Sequence, residues 1–216
     1  MAGVQFAGMA ASSSTTLVHA LAARGASAET ARGIRIASLL FVTVLTIVAA
    51  QVSVPLPFTA VPLTLQPMVV LLGGLALGSR LGSASQILYL AAGIAGLPVF
   101  AASAVLPPGP LRLLGPTGGY LMAYPLAAFV TGYLAERGFD RKYVTSVLAM
   151  LAGLLVIYSA GVTWLGLFAR TGEAAAPGVS AAFSTGVYPF IAPDLIKLAI
   201  AAGFVPALWR LLGRSH

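Results

Sequence analysis

The sequence predicts an all-α membrane protein with six transmembrane helices, and two observations support this fold class. Of the 216 residues, 59% are hydrophobic and only 8% are charged, whereas soluble domains are about 45–50% apolar and about 25% charged. A water-soluble fold of this composition would expose large apolar patches. The apolar stretches are also long and continuous, without the alternation typical of barrel strands. Helices are therefore expected, because they satisfy their own backbone hydrogen bonds in lipid.

Six segments have the composition of spanning helices, for which about 20 mainly apolar residues are needed. In chain order they are residues 34–51, 66–78, 81–96, 118–137, 143–169 and 188–212. The preceding segment, 1–33, is rich in Ala, Ser, Thr and Gly, and its basic residues follow its mildly apolar stretch, which is the wrong order for a signal peptide. We interpret 1–33 as a disordered cytoplasmic tail with one short helix near Leu17–Ala23, and 34–216 as the six-helix transmembrane domain.

Two connections are rich in proline and yet apolar. Segments 52–67 and 97–115 each contain several prolines, whose spacing excludes a helix because each removes a donor and obstructs the preceding turn. Apolar segments without helical structure between two spans are expected to fold back onto the bundle. A third connection, 171–186, is small and polar and is predicted to be an exposed linker.

The distribution of basic residues predicts that both termini are cytoplasmic. With the tail inside, nine Arg and Lys residues fall on the inner side, and only Arg112 and Arg170 fall on the outer side. Such a bias is typical of cytoplasmic loops and implies an even number of spans. It also explains the net charge of +7 without nucleic-acid binding. Both proline-rich loops then lie on the outer side, where an external solute would meet them.

Two charged residues lie inside a predicted span, at Asp194 and Lys197 in the sixth helix. A charge within the membrane costs ~2.5 kcal/mol or more and therefore indicates a functional site. The spacing of three residues places both side chains on one helix face. The pair is interpreted either as the polar end of a ligand pocket near the outer face, one turn after the segment Tyr188-Pro189-Phe190, or as an ion pair that only pins helix packing.

A second candidate site is the motif Gly115-Pro-Thr-Gly-Gly-Tyr120, which opens the fourth helix. Gly118 and Gly119 would let a ligand or another backbone approach closely, and exposed amides at a helix start can bind an anion. Thr117 and Tyr120 add hydroxyl groups. The alternative is a helix start with small residues for packing.

Catalytic and metal-binding chemistry is not predicted. The chain has no cysteine, and its two histidines, His19 and His216, lie in the terminal segments without partner ligands. No Gly-Lys-Ser/Thr phosphate loop is present. The sequence therefore predicts no enzyme, no resident cofactor and no metal site.

Five motif regions, in this order, are together highly specific for one family. They are Gln51-Val-Ser-Val-Pro-Leu-Pro-Phe58 with Val61-Pro-Leu-Thr-Leu-Gln66; Leu77-Gly-Ser-Arg-Leu-Gly82; Tyr89 with Gly93-Ile-Ala-Gly-Leu-Pro-Val-Phe-Ala101; Gly115-Pro-Thr-Gly-Gly-Tyr120; and Pro189-Phe-Ile-Ala-Pro-Asp-Leu-Ile-Lys197. From about residue 34 to its end, the chain resembles the BioY family, the biotin-binding S components of energy-coupling-factor (ECF) vitamin transporters.

The resemblance implies the six-helix S-component fold, with 34–216 as a vitamin-binding domain in a bacterial or archaeal plasma membrane. Biotin would enter from outside and be passed inward with a partner transmembrane (T) component and ABC-type ATPase subunits. The motifs and the resemblance together predict a set of ligand-binding residues. These are Asp194, Lys197, Tyr89, Thr117, Gly118, Gly119, Tyr120 and Tyr188. One departure concerns docking, because Leu40 and Val44 occupy positions where S components often carry alanine.

The chemistry of biotin suits the charged pair. An ionised aspartate only accepts hydrogen bonds and a lysine only donates them, so Asp194 would take the ureido N–H groups. Lys197 would serve either the ureido oxygen or the carboxylate. Two alternatives remain: an S component for another small vitamin, and a membrane assembly protein whose Asp–Lys pair is structural.

Overall fold

The computed structural model describes residues 16–25, 27–102, 106–107, 109–169 and 176–213. Within these ranges the chain is mostly helical, as predicted. The elements are α1 (Leu17–Ala23), α2 (Ala28–Gln51), β1 (Ser53–Val54), β2 (Leu63–Thr64), α3 (Gln66–Leu77), α4 (Ser79–Ile94), α5 (Leu111–Leu114), α6 (Gly118–Leu134), a π-helical turn (Ala135–Phe139), α7 (Tyr143–Leu167), α8 (Val179–Gly186), α9 (Tyr188–Ala201) and α10 (Phe204–Gly213).

Three described segments are long and apolar enough to cross a membrane: Ala28–Gln51, Tyr143–Leu167 and Tyr188–Gly213. The other predicted spans are shorter. With 12 residues, α3 is about 18 Å long at about 1.5 Å per residue, well below the ~30 Å of a hydrocarbon core. Helix length alone therefore supports three spans and not the six predicted.

The structure describes residues 16–25 and 27–33 of the segment that was interpreted as a disordered tail, and most of these residues are helical. The predicted helix Leu17–Ala23 is present, and the Thr16 hydroxyl donates to the carbonyl oxygen of Leu77. Helix α2 begins at Ala28 and not at residue 34, because the Ser27 side chain accepts a hydrogen bond from the Thr30 amide and so caps the helix. Residues 1–15 lie outside the described part.

The sixth predicted span, 188–212, corresponds to the apolar segment Tyr188–Gly213, whereas the predicted exposed linker needs correction. The sixth span is divided into α9 and α10, and Pro206 in the first turn of α10 explains the break, because it has no amide to donate to the preceding turn. The predicted exposed linker 171–186 contains α8, in which Ala182 is fully buried. Helix α8 packs back on α7, where Gly166 lies against the backbone of Val179.

The centre of the bundle is α6, which contacts α3, α4 and α7. Small residues permit these contacts: a Cβ atom on Gly74 or on Gly132 would overlap the backbone of the neighbouring helix or turn. This is the usual way in which helices approach closely in membranes. The close packing leaves room at one end of the bundle for the two proline-rich segments.

Both proline-rich segments contribute side chains to the core. In the first, β1 and β2 pair antiparallel, with Ser53 opposite Thr64, and Val61 in the intervening loop is 7% exposed. In the second, Val99 and Phe100 are buried. These segments therefore form part of the packed structure near the starts of α3 and α6.

The opposite end of the bundle is held by polar contacts between distant segments. The Glu136 carboxylate accepts hydrogen bonds from the amide and the hydroxyl of Ser79, at 2.8 and 2.7 Å, and so caps α4. Asp140 is fully buried and accepts a hydrogen bond of 2.7 Å from the Trp209 indole of α10. Burial raises the pKa of Asp140, although Trp209 and the neighbouring Arg141 partly offset this effect.

We predict that Glu136→Ala lowers the stability of the purified protein by about 1–2 kcal/mol, because α4 loses its cap. The measurement is the thermal unfolding midpoint in detergent. Glu29→Ala is the control, since Glu29 is exposed in the first turn of α2, and it should have a smaller effect. Equal shifts for the two variants would contradict the capping role.

Candidate ligand-binding site

A cavity of about 290 Å³ lies between the proline-rich segments and the helices α6, α7 and α9. This volume is close to the lower end of the range for small-molecule sites, roughly 300–1,000 Å³. The wall is mainly apolar and aromatic, with contributions from Phe100, Tyr124, Ile157 and Phe190. Its polar side chains belong to Thr59, Thr64, Gln66, Arg112, Thr117, Tyr120, Tyr158 and Asp194.

The predicted charged pair lies at the α9 side of this cavity. Asp194 is 5% exposed and forms part of the cavity wall. Its Oδ1 atom is ion-paired with the Lys197 ammonium, and its Oδ2 atom accepts a hydrogen bond of 2.7 Å from the Tyr158 hydroxyl. Two neighbours on different helices therefore fix the carboxylate in one orientation.

Lys197 itself does not form the cavity wall. Its ammonium also donates to the backbone oxygen of Thr64 in β2, at 2.7 Å. Lys197 therefore connects α9 to the first proline-rich segment and holds Asp194 from behind. The structure thus places Asp194 but not Lys197 in the wall, whereas sequence analysis had treated both residues as ligand contacts.

In the glycine motif at the start of α6, too, some residues line the cavity and others lie behind the wall. Thr117 and Tyr120 line the cavity, and the Tyr120 hydroxyl donates to the Gly186 carbonyl oxygen at 2.9 Å. Gly118 and Gly119 are not part of the wall. A Cβ atom on either one would overlap the backbone of α5 or the side chain of Trp164, so these glycines serve close packing.

The two remaining predicted ligand residues lie outside the wall. Tyr89 is fully buried behind Phe100, with ring centroids 5.4 Å apart. Tyr188 is 73% exposed and does not line the cavity. The structure therefore brings together Asp194, Thr117 and Tyr120 in the wall, with Lys197 and Tyr89 directly behind it.

Sequence analysis missed most of the polar residues of the wall, among them Arg112, Tyr158 and Gln66. Arg112 was assigned to an outer loop, but it is 8% exposed, and its Nε atom donates to the Pro107 carbonyl oxygen at 3.2 Å. Burial lowers the pKa of the Arg112 guanidinium, which nevertheless stays charged because its intrinsic pKa is so high. A lone cation in an apolar, proline-rich segment was the signal that could have identified it.

These groups define the chemistry that the cavity can accommodate. Asp194 offers carboxylate lone pairs to N–H or O–H donors, and Arg112 offers a cation suited to a carboxylate. The rest of the wall is mainly apolar and aromatic. No cluster of three or more His, Cys, Asp or Glu residues that could hold a metal ion occurs in the described part of the chain.

Comparisons with known proteins agree with this kind of site. The model of one protein family, the BioY family, matches residues 17–214. The probable biotin transporter BioY of Pyrococcus horikoshii is 46% identical over 157 residues, which are 73% of this chain and 85% of that protein. The biotin transporter BioY of Thermotoga maritima is 39% identical over 160 residues, 74% of this chain and 86% of its own.

A solved structure is similar over most of the chain. It is the S-component for biotin from an ECF-type ABC transporter, with a TM-score of 0.72 and 25% sequence identity. The match covers 86% of this chain and 95% of the solved chain. These relatives are transporters and not enzymes, in agreement with the sequence-based prediction.

We predict that Lys197→Met lowers the thermal unfolding midpoint, because it leaves the Asp194 carboxylate buried without its cation, a change that typically costs about 3–5 kcal/mol. Adding Asp194→Asn should recover a large part of this loss, since the double variant buries no charge at this position. The measurement is unfolding in detergent of both single variants and the double variant. A double variant that is less stable than Lys197→Met alone would refute the pairing argument.

Proposed function

The chain belongs to the BioY family, and we propose that it is a membrane-embedded S component that binds biotin for uptake into the cell. Its relatives are named biotin transporters, and the similar solved structure is an S-component for biotin. The observation that carries the proposal is the cavity itself, in which a fixed Asp194 carboxylate and a buried Arg112 face an otherwise largely apolar space. Biotin is the transported substrate and not a cofactor.

Biotin matches this arrangement group by group. Its ureido ring carries two N–H donors and one carbonyl oxygen, its thioether ring and chain are apolar, and its tail ends in a carboxylate. Asp194 accepts from the ureido ring, and Arg112 pairs with the carboxylate, because a guanidinium suits planar carboxylates. Lys197 acts by holding Asp194, since the ammonium is already shared between that carboxylate and Thr64.

The proposed topology has six spans, formed by α2, α3, α4, α6, α7 and the pair α9–α10. Backbone without helical structure is tolerated at membrane depth only where protein buries it or it lines a cavity. The first proline-rich segment satisfies this condition, because it lines the cavity beside the short α3. Both termini are then cytoplasmic and the cavity lies near the outer face. The burial of Arg112 strengthens the charge bias, because this residue is a cavity group and not a loop charge.

The proposed partners are the T component and the ABC-type ATPase subunits of an ECF transporter, in a bacterial or archaeal plasma membrane. The sequence contains no phosphate-binding loop of its own, so ATP hydrolysis belongs to other subunits. Helix α2 offers a docking surface, because Leu40 and Val44 are 47% and 56% exposed. Nucleic acid is not a partner, because most of the basic residues occur near the ends of the apolar segments.

We predict that the purified protein binds labelled biotin in equilibrium dialysis, and that Asp194→Asn weakens binding by about tenfold to a few hundredfold. The substitution keeps the shape but introduces an amide donor where an acceptor is needed. Lys197→Met should also weaken binding. Asp140→Asn is the matched control, because Asp140 is equally buried but remote from the cavity wall.

The double variant Asp194→Asn with Lys197→Met separates this proposal from a purely structural ion pair. If the pair only pinned the helices, the neutral double variant would bind biotin like the parent. A parent protein that binds no biotin would favour another vitamin or an assembly role.

We predict that a cysteine at Ser180 reacts with an impermeant maleimide in intact cells, whereas a cysteine at Ser215 does not. Ser180 is exposed in α8, on the proposed outer side, and Ser215 lies near the carboxyl terminus. Permeabilised cells provide the control, in which both positions should react. The reverse pattern in intact cells would overturn the proposed orientation.

A further inference from the structure

We infer that Gln66 is a second hydrogen-bond acceptor for the ureido ring, and that Tyr89 is the positioning residue that orients it. This inference rests on the proposed function and deepens it. Gln66 is the first residue of α3, is 2% exposed and forms part of the cavity wall. Tyr89 belongs to α4 and lies behind that wall.

A chain of two hydrogen bonds connects three segments at this point. The Gln66 side-chain nitrogen Nε2 donates to the Tyr89 hydroxyl at 2.6 Å. The same hydroxyl donates to the backbone oxygen of Val99 at 3.3 Å. Tyr89 therefore joins the end of the first proline-rich segment to the second one.

The direction of this chain follows from what each group can do. The carbonyl oxygen of Val99 only accepts, so it takes the single hydroxyl proton of Tyr89. The Tyr89 oxygen must then accept from Gln66, which requires the NH₂ group of the amide to face Tyr89. The pattern of donors and acceptors in a hydrogen-bond network assigns the orientation of an amide. Here it turns the Gln66 oxygen Oε1 away from Tyr89.

That oxygen has no hydrogen-bond donor from the described residues of the chain. Because Gln66 lines the cavity, a ligand there can supply a donor to this oxygen. The backbone amide of Gln66, by contrast, already donates to the Thr64 hydroxyl. The side-chain oxygen is therefore the part of Gln66 that is available to a ligand.

The Tyr89 ring is held in place, so that the relay of hydrogen bonds from Gln66 through Tyr89 to Val99 keeps its direction. Phe100 contacts the ring edge-on, with an interplanar angle of 84°, and the Tyr124 ring centroid lies 6.4 Å away. Gly93 provides the space for Phe100, because a Cβ atom there would overlap the phenylalanine ring. Phe100 and Tyr124 both line the cavity, so the relay is directly behind the surface that a ligand touches.

Two acceptors match the two N–H groups of a cyclic urea. Asp194 supplies a charged acceptor that is fixed by Lys197 and Tyr158, and Gln66 supplies a neutral acceptor that is fixed by Tyr89. A ligand with only one N–H group at this position would leave one acceptor buried and unpaired, which disfavours it. The pair of acceptors therefore selects for an intact ureido ring.

The test measures biotin affinity and thermal stability for Gln66→Met, Tyr89→Phe and the double variant. Gln66→Met keeps the length of the side chain and removes the acceptor, so it should weaken biotin about ten- to a hundredfold. Tyr89→Phe keeps the ring and frees the amide to rotate, so it should weaken biotin less. Gln51→Met is the matched control, because Gln51 is exposed on α2, and it should leave affinity unchanged.

Coupling between the variants distinguishes orientation from packing. If Tyr89 acts through Gln66, Tyr89→Phe should change affinity by less than about twofold when Gln66 is already methionine, since interacting residues are not additive. An equal loss in both backgrounds would overturn the positioning role. A Gln66→Met protein that binds biotin like the parent would overturn the whole inference.

Two biotin analogues, each methylated at one ureido nitrogen, identify the contact itself. Both should bind the parent more weakly than biotin does. For one analogue, the affinity loss relative to biotin should shrink to less than about threefold in Gln66→Met, because that variant has no acceptor to lose. Unchanged losses for both analogues would overturn the contact. Biotin binding by the parent, together with weak binding by Asp194→Asn, would still support the proposed function in that case.

Discussion

The Asp194 carboxylate is the constraint on which the site depends. A buried carboxylate is stable only when it is paired and hydrogen-bonded, and here the partners come from α9 itself and from α7. Lys197 extends the connection to Thr64, so the ion pair also attaches the first proline-rich segment to α9. The same interaction therefore sets the direction of an acceptor and holds one wall of the cavity in place.

Besides the fixed carboxylate, the site requires a cavity at one end of the bundle, and close helix packing contributes to it. Glycines in α3 and α6 bring the helices together, and α3 stays too short to cross a hydrocarbon core alone. The first proline-rich segment, which contains β1 and β2, fills the space beyond the start of α3. Proline suits this position because a segment that must line a cavity cannot continue as a helix.

Sequence alone predicted much of the fold, because its signals are local. Pro67 and the glycine pair at 118–119 mark helix starts, and the structure begins α3 and α6 at Gln66 and Gly118. The cap at Ser27 was equally local but was overlooked. The spacing of Asp194 and Lys197 also predicted their contact, since three residues separate them along one helix.

The rest of the site was not predictable from local patterns because it depends on contacts between distant segments. Tyr158 meets Asp194 from a position 36 residues earlier, and nothing in the apolar sequence of α7 indicates that partner. Gln66 and Tyr89 meet across 23 residues. In the sequence, Arg112 cannot be distinguished from an ordinary basic residue of a loop. Its burial follows from the fold of its segment.

Charge balance connects the wall to the proposed transport of an anion. The ligand-free site contains one carboxylate, Asp194, and two cations, Lys197 and Arg112, so it carries excess positive charge. This charge favours a ligand with one carboxylate, such as biotin. With such a ligand the proposed site is neutral, which favours the occupied state because net charge within lipid is costly.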